Sequence, residues 1–161
     1  MRILVITALS YRKPDLSSLF SILQEKFPHA RLIRWKEFKA INTKSEVSTL
    51  LSYSLIDYVA QADVVVSYLN GPSSGRTLEQ LYASLLGIPV IGIEKERVLS
   101  PFDCVGIGKV VRSEEELVEE IKRVESLHPI TKVALFLRKK LFHLLLKLIF
   151  LTSLRAKLAS F

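Results

Sequence analysis

Residues 2–8 form a run whose centre, Ile3-Leu4-Val5-Ile6, is continuously apolar and dominated by branched side chains. A strand covered on both faces reads this way, because neither face has to meet water. The period then changes. After Pro14 and Asp15, the residues Leu16, Leu19, Phe20, Leu23 and Phe27 recur at helical spacing, and Pro28 stops the pattern. Residues 31–35 predict a second strand. Thr43 and Glu46 have capping-box spacing and open a helix through Leu50, Leu51, Leu55, Tyr58 and Val59. Residues 63–69 predict a third strand. Leu78, Leu81, Tyr82 and Leu85 mark the next helix, which Gly87 closes ahead of a fourth strand over residues 88–93. Residues 105–111 predict a short fifth strand. Ser113 and Glu116 form a second capping box for a helix that ends near Leu127.

Strands alternate with helices throughout, and this alternation predicts an α/β fold: a Rossmann-like, doubly wound, five-stranded parallel sheet in flavodoxin-like order. In such a sheet the ligand crevice lies at the carboxyl ends of the strands. The 161 residues suffice for one such domain, over residues 1–127, with 128–161 as an appendage. Residues 130–161 read as one long helix opened by Pro129. About thirty residues at about 1.5 Å each span about 45 Å, more than the width of the domain.

Charge sharpens this division. The net charge is +7, yet residues 126–161 contain no Asp or Glu and carry Lys132, Arg138, Lys139, Lys140, Lys147, Arg155 and Lys157. Taking those seven from 23 basic residues leaves 16 against 16 acidic ones, so the rest of the chain is electroneutral. A nucleic-acid polymer is therefore not an expected partner. On a helical wheel Lys139, Lys140, His143, Lys147 and Lys157 gather on one side, with Leu141, Leu145, Leu148, Ile149 and Thr152 opposite. Such a helix suits either peripheral contact with an anionic membrane through residues 130–161 or packing on a neighbouring subunit. A true membrane span is not expected, because charges interrupt the apolar stretch. Cys104 is the only cysteine and the first residues lack the features of a signal peptide, so a cytoplasmic location is expected, at the inner membrane surface if the tail binds lipid.

The candidate chemistry sits after the third strand. The loop Asn70-Gly71-Pro72-Ser73-Ser74-Gly75 lies between a strand end and a helix start, where backbone N–H groups and the helix dipole favour an anion such as phosphate. Ser73 and Ser74 add hydroxyl donors, although helix capping alone also explains serines here. Glu79 follows one helical turn later. An ionised Glu is seldom buried for stability, whereas a nucleophile or general base is wanted at such a crevice.

Residues 62–91 carry a more specific pattern: Ala62-Asp63 opening a Val-rich strand, Ser73-x-Gly75, then Glu79, Ala83 and Gly87-x-Pro89. In this the chain resembles the nucleoside 2-deoxyribosyltransferase superfamily. Gln61, the Pro72-Ser73 pair and Arg97-Val98-Leu99-Ser100 look most like its 2′-deoxynucleoside 5′-monophosphate N-hydrolase branch. The resemblance implies a hydrolase or transferase that cleaves the N-glycosidic bond of a (deoxy)nucleoside 5′-monophosphate or nucleoside. Glu79 would be the nucleophile and form a glycosyl-enzyme, as in a retaining glycosidase. Ser73 and Ser100 would hold the 5′-phosphate, with Asn70, Gly71, Ser74, Gly75 and Ser10 as further substrate contacts. It implies no cofactor and a homodimer or larger assembly. Glycosyltransferases of the two-domain type also pair a Glu with Gly-x-Pro, but at a shorter spacing than the eight residues from Glu79 to Gly87.

Three positions depart from that pattern. Leu55 stands where the superfamily carries an acid that assists the departing base. Asp57 is the nearby candidate for that role, although two positions along a helix turn it by about 200°. Leu81 replaces a Gly and threatens to crowd the base, and Ile6 stands in place of a Tyr. A catalytically impaired nucleotide-binding or sensing module is the alternative these departures support. Lys95, Lys109 and Arg76 are candidate sources of positive charge, and Tyr11 and Tyr82 are candidate stacking partners or core residues. His29, His128 and His143 form no metal-ligand spacing with Cys104, so no metal site is expected.

Overall fold

A computed structural model describes residues 1–8, 15–34, 58–94 and 101–127, together with residues 133, 134, 136–138, 140, 141, 144 and 145. Strands β1 (Arg2–Thr7), β2 (Arg31–Arg34), β3 (Val64–Leu69), β4 (Val90–Glu94) and β5 (Lys109–Val111) form one parallel sheet in the order β2-β1-β3-β4-β5. Helices α1 (Ser17–Lys26), α2 (Ser74–Leu85) and α3 (Glu114–Glu125) cover it. This is the doubly wound α/β sheet in flavodoxin-like order that the alternation predicts.

The strands bury both faces, and their period of two decides which helix each residue meets. Ile3, Val5, Val64, Val66, Ile91 and Ile93 pack with Leu19, Leu23 and Phe27 of the α1 region and with Leu117, Val118 and Ile121 of α3. Leu4, Ile6, Val65 and Val90 face the other way, onto Tyr82, Ala83 and Leu86 and the turn that holds Val59, Ala60 and Ala62. Each such buried side chain contributes about 1.5–3 kcal/mol. Asp63 works at the amino ends of the strands, away from the crevice. Its carboxylate accepts from the Arg2 backbone N–H at 2.7 Å and from the Arg2 guanidinium at 3.2 Å, which sets β3 against β1.

Local signals hold with adjustments. Helix α2 ends as expected at Gly87, with Gly87 N–H donating to Ser84 O and Ile88 N–H to Ala83 O, both at 2.9 Å. That termination uses up Ile88 and Pro89, so β4 begins at Val90 instead of residue 88. Strand β5 has three residues instead of seven, because Pro101–Cys104 form a 3₁₀ turn and Val105 and Gly106 a tight turn before it. Ser113 Oγ accepts from Glu116 N–H at 3.1 Å as a capping box requires, but the Glu116 carboxylate reaches back to Arg112 N–H at 3.0 Å instead of to Ser113. The helix predicted from Thr43 lies outside the described residues apart from Tyr58 and Val59, which are π-helical.

In the C-terminal segment, the described residues between 133 and 145 are helical and exposed. Lys140 Nζ sits 4.8 Å from the centre of the Phe136 ring. The proposed continuation to residue 161 lies outside the described residues. Among the described residues no helix is long and apolar enough to cross a membrane.

Candidate functional site

At the carboxyl ends of β1, β3 and β4, the candidate site is built on the connection from β3 to α2. The chain leaves Leu69 through Asn70 and Gly71, whose φ of 129° belongs to the region that favours glycine. Ser73 then takes an extended backbone conformation as the N-cap of α2, and its Oγ accepts from Arg76 N–H at 3.3 Å. Ser74 and Gly75 are exposed on the first turn of α2. Among the described residues, a Cβ placed on Gly75 would meet nothing within 4 Å. First-turn N–H groups have no acceptor within their own helix, and the dipole of α2 reinforces them toward an anion.

Glu79 lies on the same helix and is only 7% exposed. Periodicity explains this placement. The buried residues of α2 are Arg76, Glu79, Gln80, Tyr82 and Ala83, which recur at three- and four-residue steps on the face turned to the sheet. A carboxylate on that face, one turn beyond an anion-binding loop, is suited to act as a nucleophile or general base on a ligand whose phosphate the loop holds.

Other expected residues take different roles. Asn70 is committed to the protein itself: its Oδ1 accepts from Thr7 Oγ1 at 2.9 Å and from Ala8 N–H at 3.1 Å, and its Nδ2 donates to Ala8 O at 3.5 Å. It ties the ends of β1 and β3 together. Arg76 supplies no free charge. Its side chain is fully buried, with Nη2 donating to Asp103 Oδ1 at 2.6 Å and Nη1 to Tyr68 O at 3.2 Å. Burial pushes the guanidinium below its ordinary pKa, and Asp103 acts against that shift. Lys109 begins β5 beside Ile91, at the amino half of the sheet and away from the crevice. Tyr82 is buried in the core under β1 and β3, so it is no stacking surface.

Leu81 is 40% exposed and lies with Leu78 and Leu85 on a stripe of α2, about 200° around the helix from Glu79. The remaining candidates, Ser10, Asp57 and Ser100, lie outside the described residues, as do Leu55, Tyr11 and Lys95. Among the described residues no group of three His, Cys, Asp or Glu side chains is placed to hold a metal ion.

Two residues that build the site carry little local signal in the sequence. Asp103 is 3% exposed and answers Arg76, while Gln80 is fully buried and meets Ser67 Oγ at 2.6 Å. Ser67 is the available pointer, since a small hydroxyl side chain following the Val64–Val66 run of β3 requires a partner once buried.

No family model matches the sequence, and no curated protein matches it. Solved structures do. The 2-deoxyribosyltransferase of Bacillus psychrosaccharolyticus superposes with a TM-score of 0.56 at 10% identity, covering 81% of this chain and 95% of that one. A CMP N-glycosidase of Clostridium botulinum gives 0.47 at 16% identity, covering 76% and 98%. A 3-dehydroquinate dehydratase-like protein of Bifidobacterium longum gives 0.48 at 10% identity, covering 76% and 94%. The chain has the nucleoside 2-deoxyribosyltransferase-like fold.

Proposed function

We propose that this protein cleaves the N-glycosidic bond of a (deoxy)nucleoside 5′-monophosphate or nucleoside, handing the sugar to water or to a second base. The observation that carries the reading is Glu79, buried on α2 one turn beyond the Ser73 cap and the open Gly75. The fold it shares with a 2-deoxyribosyltransferase supports the same chemistry. Glu79 attacks the anomeric carbon through its carboxylate oxygen, the C–N bond breaks, and the base leaves with the bonding pair. The transition state is oxocarbenium-like, so a carboxylate facing it stabilises the developing charge as well as forming the bond. Asp57 is the proposed proton donor to the departing base. Water or a base then displaces Glu79 from the sugar, and two inversions give net retention. Ser73, Ser74 and Gly75, with Ser100 and Ser10, hold the 5′-phosphate through hydroxyl and backbone N–H groups. Asn70 and Gly71 shape that loop from behind.

The test is chromatographic release of free base from a panel of deoxynucleoside and ribonucleoside 5′-monophosphates and their parent nucleosides, comparing wild type with Glu79→Ala. Release that the substitution abolishes supports the reading. Binding of a nucleotide without release would instead favour the alternative, a nucleotide-sensing module.

A second reading concerns the C-terminal segment, which we read as lying on an anionic membrane surface. Val133, Phe136, Leu137, Leu141, Leu144 and Leu145 are each about half exposed or more, on a helical stretch within a region of seven cations and no acid. Sedimentation of the full chain with phosphatidylglycerol-containing vesicles, but not with phosphatidylcholine alone, is the expected result. Recovery of Leu141→Glu/Leu144→Glu with those vesicles at wild-type level would exclude it.

A further inference from the structure

The guanidinium of Arg76 joins segments that are distant in sequence. From the first turn of α2 it donates to the carbonyl of Tyr68 on β3 and to the carboxylate of Asp103, and it approaches Asn70 Oδ1 at 3.5 Å. Asn70 in turn holds Thr7 and Ala8 at the end of β1. Asp103 lies in the 3₁₀ turn Pro101–Cys104. One side chain therefore connects the carboxyl ends of β1 and β3, the start of α2 and the turn that follows Ser100.

A second fastener stands one helical turn along. With its amide oriented as the surrounding donors and acceptors require, Gln80 accepts from Ser67 Oγ at 2.6 Å and donates to the carbonyls of Asp103 and Val105, both at 3.2 Å. Thr77 Oγ1 adds a bond to Phe102 O at 3.4 Å. Gly106 then backs onto the same helix with φ of +80°, and a Cβ there would come within 2.7 Å of Gln80 O. Residues 101–106 are thus fixed to α2 along two turns, on either side of Glu79.

The Arg76–Asp103 pair is not an economical way to gain stability. Two charges leave water, and pairs of this kind are often replaceable by apolar residues of equal volume at little net cost. An apolar pair would fill the space but define no angle. A planar guanidinium binding a carboxylate and a carbonyl fixes both the separation and the orientation of the elements that carry them.

We propose that Arg76 and Asp103 are positioning residues for the 5′-phosphate, setting the Pro101–Cys104 turn against the Ser73–Gly75 loop and both against Glu79. This rests on the reading of that region as a nucleotide site. Removing the pair should loosen the phosphate contacts more than the sugar and base contacts, whereas a pair that serves stability alone would affect all ligands alike.

The experiment uses the full chain carrying Glu79→Gln, so that ligands remain intact, and measures affinities for a matched nucleoside 5′-monophosphate and nucleoside by calorimetry. Single substitutions of Arg76 or Asp103 by apolar residues leave a buried unpaired charge and risk unfolding, so the primary variant is Arg76→Met/Asp103→Leu. The expected result is monophosphate affinity weaker by about tenfold or more with nucleoside affinity changed by less than about threefold. Arg76→Lys keeps the charge and loses the fork, and it should weaken monophosphate binding in the same direction by a smaller factor. The proposal is overturned if the double variant binds the monophosphate as the parent does, or loses both ligands equally. Should the double variant not fold, wild-type monophosphate affinity in Arg76→Lys overturns it instead. Parent protein that binds the monophosphate while wild type releases no base defeats the glycosidase reading and leaves this test intact. A parent that binds neither ligand defeats both.

Discussion

Thr7 Oγ1 donates to Asn70 Oδ1 at 2.9 Å, across 63 positions of sequence, and this bond closes the gap between the carboxyl ends of β1 and β3. The same oxygen accepts from Ala8 N–H, so the rim of the crevice hangs on one amide group. Asn70→Ala leaves partly buried donors without their acceptor and should cost about 1–3 kcal/mol. Urea unfolding midpoints measure this. Asn70→Asp keeps the acceptor and loses only the long Nδ2 contact, so its midpoint should fall closer to that of wild type.

Gly75 separates ligand binding from folding. No described residue comes within 4 Å of the position where a Cβ would lie, and alanine in a helix is favoured over glycine by about 0.5–1 kcal/mol. Gly75→Ala should therefore fold at least as stably as wild type. If phosphate sits on the first turn of α2, the added methyl intrudes on it, and the KM for a 5′-monophosphate should rise while that for the nucleoside holds.

Glu79→Gln distinguishes enzyme from binding module. The amide preserves size and hydrogen bonding but is a poor nucleophile, so kcat should fall by about a thousandfold or more. Nucleotide affinity, measured separately, should change by less than about threefold. Loss of affinity together with activity would mean that Glu79 holds the ligand instead of attacking it.

Burial of Tyr82 pushes its hydroxyl above its ordinary pKa. The sign follows from linkage. At pH values below about 10 the phenol is neutral in both folded and unfolded chains and contributes no pH dependence. At higher pH the unfolded chain ionises first, so the folded state loses stability as pH rises. Urea midpoints of wild type should therefore fall more steeply between neutral pH and strong alkali than those of Tyr82→Phe. Equal slopes would contradict the shift.

Much of the frame is written in local sequence. The apolar runs of β1, β3 and β4 are intrinsic to the chain, since a strand buried on both faces has no polar alternation, and the intervening helical periods leave few topologies for a parallel sheet. Glu79 and the Ser73 cap are legible in the same way, because one strand, one loop and one helical turn place them relative to each other. A local relationship needs only local geometry, and propensity and spacing encode that geometry directly.

The partners of the buried polar groups are not encoded so locally. Arg76 reads as a candidate for free charge until the turn 27 residues later brings Asp103 against it. Asn70 has no legible partner in its own segment until β1 supplies Thr7. Periodicity tells which side chains enter the interior but not what meets them there. A buried donor or acceptor must be satisfied by whatever the packed sheet brings within about 3 Å, and that neighbour is chosen by the crossing of distant segments, which only the tertiary structure decides.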